Sequence, residues 1–197
     1  MKPSAPGREE RDGVFQQLLA AYGQPAYVRR ARGVQDALEK VLAQCRQRRD
    51  EWLLMPRIHL GVLRGLAGGR WEPLAPLLMP GEAAVLEELH RLLEPRPRLP
   101  ITPSDSLRKL AKALATLCEG LERFNARWLE FVPTVDLKRL NELREAYNRW
   151  YVLEKECAVR SVTTARAGFV PLEPMTPEGL LALLPPLPVP QQRFKKG

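Results

Sequence analysis

The sequence predicts an all-α protein, a helical bundle built on a long antiparallel αα-hairpin, and three observations carry that reading. The first is a run of apolar residues, Leu107, Leu110, Leu114, Leu117, Leu121, Phe124, Trp128 and Phe131, whose spacing alternates between 3 and 4 without an error. Such a heptad seam marks one helix packed lengthwise against others. The second is composition. Of 197 residues 45% are hydrophobic, only four are serine, and Leu, Arg, Glu and Ala dominate, so helix formers abound and strand formers are scarce. The third is the short break at Val132-Pro133-Thr134, followed by a second apolar stripe through Leu140, Leu143, Tyr147, Trp150, Glu154 and Cys157. A break that short between two long helices favours an antiparallel hairpin, with arms at about 103–131 and 136–158, packed with a long N-terminal helix at about 26–54.

Taken in order, residues 1–12 are polar, with Pro, Gly and charged side chains, and read as a disordered lead-in. A single helical domain is expected over 13–158. Within it, a short helix over about 13–22 stops at Gly23-Gln24-Pro25. The 26–54 helix follows, with a stripe through Ala31, Val34, Leu38, Val41, Cys45, Arg48 and Trp52, and Pro56 sets its expected end. Residues 57–67 suit a short helix closed by Gly68-Gly69. Residues 71–78 suit a turn or two before Pro80, and Glu82–Leu93 is helical by its pattern. The connector 95–103 holds four prolines and must be extended. Thr102 and Pro103 read as the cap and first residue of the seam helix. Past the hairpin, 159–197 is expected to be an extended segment with a short helix at 177–184 and a polyproline strap.

Ala111, Ala113, Cys118 and Gly120 flank the seam where a two-stranded zipper would place charged residues. Small groups there broaden the stripe and let other helices approach. That favours an intramolecular bundle, although sequence leaves monomer and homodimer undecided.

The formal charge of +8 is spread along the chain, with local basic excesses over 27–49 and 96–127. Arginine outnumbers lysine 23 to 8, which suits phosphate or carboxylate contacts and equally reflects codon composition. The three cysteines, Cys45, Cys118 and Cys157, have no close spacing and read as buried thiols in a reducing, cytoplasmic setting. No secretory signal or membrane span is expected.

Catalytic and metal motifs are not found. His59 and His90 have no second ligand at metal-like spacing, and no nucleophile elbow, phosphate loop or dinucleotide fingerprint is present. No catalytic residue, metal or cofactor is assigned. Gly61-Val-Leu-Arg-Gly65 with Gly68-Gly69 reads as close helix packing followed by a glycine cap. Glu154 interrupts one stripe and Arg48 another, and the two are expected to form a buried polar pair.

Function is therefore read from surfaces. The leading expectation is a non-enzymatic helical interaction or assembly subunit that binds another protein. Its contact residues would be the aromatics Tyr147, Trp150 and Tyr151 on the last long helix and Leu184, Pro185, Leu187 and Pro188 in the tail. The same tail could instead be a rigid strap laid over the protein itself. The alternative is nucleic-acid binding through phosphate contacts from Arg29, Arg30, Arg32, Arg46, Arg48 and Arg49. A third class, an enzyme of unknown reaction, would centre on Asn148, Arg149, Glu154 and Glu156.

Overall fold

A computed structural model describes the backbone of residues 25–95, 100–160 and 171–193, with side chains over 32–95, 100–149 and 171–193. The fold is all-α. Among the described residues there are six α-helices: α1 (Pro25–Trp52), α2 (Leu54–Leu66), α3 (Glu82–Leu93), α4 (Leu107–Phe131), α5 (Lys138–Arg160) and α6 (Pro177–Leu183). Two 3₁₀ helices, Glu72–Leu77 and Val132–Thr134, lie between them. The described residues contain no strand, only an isolated antiparallel bridge between Leu78 and Gln192. The expected elements over 1–22 and the side chains of Trp150, Tyr151, Glu154, Glu156 and Cys157 lie outside the described residues.

The chain divides into two compact units, neither continuous in sequence. One takes the residues up to Ala43 together with Asp136–Gly179, and the other takes Gln44–Val135 with Leu180–Gly197. The two arms of the expected hairpin, α4 and α5, belong to different units.

In the second unit α4 packs along α2. Leu110, Leu114, Leu117, Leu121, Phe124 and Trp128 of the seam are all buried, as are Leu60 and Leu63 of α2. Of the small flanking residues, Gly120 has the expected use. A Cβ on Gly120 would stand 3.3 Å from His59 Nδ1, and one on Gly65 would stand 2.7 Å from Ile101 Cβ. Gly68 and Gly69 both take positive φ, +67° and +81°, and end α2 as a glycine cap.

Several boundaries differ from expectation for physical reasons. Pro56 does not end a helix. The break falls at Leu53, and Pro56 lies in the first turn of α2, where a missing N–H leaves no helical bond unmade. The seam helix starts at Leu107, one turn later than Pro103, because 101–104 is drawn onto the end of α2. Ser104 N donates to Leu66 O at 3.0 Å, and Ile101 lies against Gly65. Leu107 is consequently outside the core, 48% exposed. In α1 the inward face passes from Cys45 to Arg49 and Leu53, so Arg48, expected inside, is exposed and pairs with Glu51 at 3.1 Å.

Candidate functional site

The chain contains three asparagines, Asn125, Asn141 and Asn148, and all three lie within helices. Asparagine is a poor interior helix residue because its amide competes for backbone groups. Here each amide is turned outward onto a different stretch of main chain and makes the same pair of bonds. Asn125 Nδ2 donates to Leu187 O and its Oδ1 accepts from Leu187 N, both at 2.8 Å. Asn141 does the same with Met175, at 2.9 and 2.8 Å. Asn148 does so with Leu172, at 2.7 Å in both directions. A primary amide offers one donor and one acceptor edge-on, so it substitutes for a neighbouring β-strand and holds a segment extended without reading its side chains.

In the first unit the two clamps share one face of α5. The seven steps of helix from Asn141 to Asn148 rise about 10.5 Å, and the three steps from Leu172 to Met175 span about 10 Å when extended. The segment therefore runs antiparallel to α5 in register. Between the asparagines, Arg144 donates to Glu173 O. Burial pulls the Arg144 guanidinium below its ordinary value, and its Nε is buried without a partner among the described residues.

In the second unit the clamp is built on aromatic rings. Phe124 and Trp128 stack nearly parallel, 6.4 Å between centroids at 8°. The Arg49 guanidinium lies over both, 5.4 Å from Phe124 and 4.9 Å from Trp128. From there Arg49 donates to Leu184 O at 2.9 Å and to Pro185 O at 2.7 Å. Trp128 Nε1 meets the same Leu184 carbonyl at 2.8 Å. Burial lowers the arginine's pKa while Asp50 opposes that shift, yet a guanidinium starts high enough to stay charged. Further along, the Cys118 thiol donates to Pro190 O at 3.6 Å, its pKa pushed up chiefly by burial. Gln191 N donates to Glu82 Oε2 at 3.0 Å, Met79 N to Gln191 O at 3.3 Å, and Arg193 N to Leu77 O at 3.1 Å.

The chemistry follows from the prolines. Residues 185, 186, 188 and 190 have no N–H, so this segment presents mostly acceptors and cannot join a ladder. The helical body answers with donors, from an arginine, an indole, an amide and a thiol. Of the tail residues expected to meet a partner, Leu187 is buried, Leu184 and Pro188 are half-buried, and Pro185 is exposed. Leu183, 52% exposed, and Pro186 are accessible beside them. The tail is a strap on its own unit.

Among the other expected residues, Arg32 and Arg46 are exposed, Arg48 is paired with Glu51, and Arg49 is engaged by the strap. The side chains of Arg29 and Arg30 lie outside the described residues. Tyr147 is half-buried and Arg149 exposed. The expected Arg48–Glu154 pair required a buried Arg48, and the solvent exposure of Arg48 removes that premise. His59 lies against Gly120 and His90 near Arg64 and Glu87. Among the described residues no three His, Cys, Asp or Glu side chains are grouped to hold a metal, and no helix is long and apolar enough to cross a membrane.

Sequence reading missed Asn125, Asn141 and the role of Arg49. A signal existed in the asparagines, two of them seven residues apart on a helix where their propensity argues against them. No protein-family model, curated protein or solved structure matches this chain.

Proposed function

We propose that this protein is a non-enzymatic helical interaction subunit that docks another protein on the strapped proline-rich segment 183–190. One observation carries the reading. The main chain of Leu184, Pro185 and Leu187 is held by Arg49, Trp128 and Asn125, while the side chains of Leu183, Pro185 and Pro186 remain exposed. A segment already ordered in this way avoids most of the entropy cost that a free tail incurs on binding. Proline and leucine side chains on a rigid ridge are the kind of surface that aromatic-lined grooves accept. The strap and the ligand readings of the tail are thereby compatible, because the strap holds carbonyls and leaves the side chains of Leu183, Pro185 and Pro186 outward.

The test is affinity capture from nuclease-treated native lysate, comparing the wild-type chain with the double variant Leu183→Glu/Pro186→Glu. Neither side chain is buried, so helicity by circular dichroism should be unchanged. A defined protein retained by the wild type and lost by the variant is the expected result. Retention by both chains would move docking elsewhere, and loss of all partners on nuclease treatment would favour the phosphate-contacting reading.

A further inference from the structure

Side by side in the second unit, α2 and α4 leave a half-open groove of about 300 Å³. Val62 and Leu66 of α2 and Ala113 of α4 form its walls, and His59 contributes to one side. Lys109 and Lys112, three residues apart on α4 and therefore on one face, line it as exposed side chains. Thr116 also lines it, but its hydroxyl donates to Lys112 O at 2.9 Å and is not available. Neither lysine ammonium is in an ion pair among the described residues. His59 adds no charge at neutral pH, since burial and then Arg123 hold it below its ordinary value.

These features narrow the occupant. The volume is at the lower end for small-molecule sites, and the lining has no amide or carboxylate side chain to read a nucleotide base. The apolar walls offer nothing to an inorganic anion, and two unpaired ammoniums repel an amine. What remains is a molecule with one anionic end and a short hydrocarbon body. We infer that the groove between α2 and α4 binds a small amphiphilic carboxylate, with its chain on Val62, Leu66 and Ala113 and its carboxylate between Lys109 and Lys112.

The experiment is calorimetric titration of the full chain with decanoate, decanol and decyltrimethylammonium at neutral pH and low salt. Saturable one-to-one binding of decanoate is expected, weaker by about tenfold or more for decanol, the loss of roughly one charge-assisted contact. Lys109→Gln/Lys112→Gln should lose a similar factor with unchanged helicity, both side chains being exposed. Ala113→Leu, which fills the groove from its wall, should abolish binding. Absence of saturable decanoate binding, equal affinity for decanol, or undiminished binding by the lysine variant would each overturn the assignment. Self-association that Ala113→Leu abolishes and decanoate does not compete would overturn it in favour of a second copy as occupant.

Discussion

Two regions of this molecule solve the same problem by different means. In the first unit, 172–175 is held on α5 by Asn141, Arg144 and Asn148, a ladder of polar side chains on a half-buried helix face. In the second, 184–187 is held by Asn125 and Trp128 of α4 and by Arg49 of α1, which rests on two stacked rings. The first clamp relies on register, since two helical turns match three extended steps. The second relies on burial, since Trp128 and Phe124 are core residues whose polar neighbours happen to reach the strap. Hydrogen bonds of equal length therefore differ in consequence. Where solvent can replace a lost partner the net loss is small, and where it cannot the desolvated group is left unpaired.

The sharpest way to break the aromatic clamp is Trp128→Ala. Trp128 is fully buried, so the cavity alone should cost about 3–5 kcal/mol in urea unfolding, and the Leu187 amide should lose its exchange protection. Next comes Arg49→Ala, which removes charged donors from Leu184 O and Pro185 O together. A loss of about 2–3 kcal/mol is expected. Arg49→Lys should recover only part of it, because an ammonium cannot lie flat on the rings while bonding two carbonyls. The matched pair Asn125→Ala and Asn141→Ala compares the clamps directly. We expect about 2 kcal/mol for the first and about 1 kcal/mol for the second, with hydrogen exchange accelerated at Leu187 in one and at Met175 in the other. Equal losses would mean that burial of the aromatic platform adds nothing to the asparagine bonds.

The smallest effect is a pH dependence that separates the two units. His59 and His90 belong to the second unit, and both lie below their ordinary value of 6.5. Burial is the main cause in each, followed by Arg123 for His59 and by Arg64 for His90, which Glu87 opposes. In that window the unfolded chain binds more protons than the folded one, so stability is full above 6.5 and declines as pH falls below it. Glu178 belongs to the first unit. It is lowered from 4.5 by its own backbone N–H and then by the Thr176 hydroxyl, so its contribution persists above 4.5 and declines only below that. Acidification from pH 7 to 5.5 should therefore lower the protection factor, taken relative to intrinsic exchange at each pH, at Leu187 before Met175. His59→Gln/His90→Gln should remove that difference. Simultaneous loss of protection at both amides in the wild type would sink the assignment.

Much of the fold is legible in the sequence because helices obey local rules. The seam of α4 repeats within one turn of itself, and the glycines after α2 report a backbone conformation that only a few neighbouring atoms decide. The exceptions came where another part of the chain intervened. Pro56 reads as a stop on local grounds and is a helix start in the fold. Leu107 belongs to the heptad pattern and is left in solvent because Ser104 is tied back to Leu66. Arg48 and Arg49 are adjacent, and which of them turns inward depends on the last turn of α1 shifting from a 3-residue to a 4-residue step.

What the sequence alone determined is therefore the class, the long helices, the small-residue approach to α4 and a tail unable to pair as a strand. Tertiary structure decided where that tail lies and what holds it. Arg49 and the Leu184 carbonyl it bonds are 135 residues apart, and the three asparagines meet their partners across 24 to 62 residues. No periodicity carries that information, since a side-chain amide or guanidinium is chemically the same in water and on a strap. Only the fold, which brings Arg49 and Trp128 together at the Leu184 carbonyl, makes them donors to the strap.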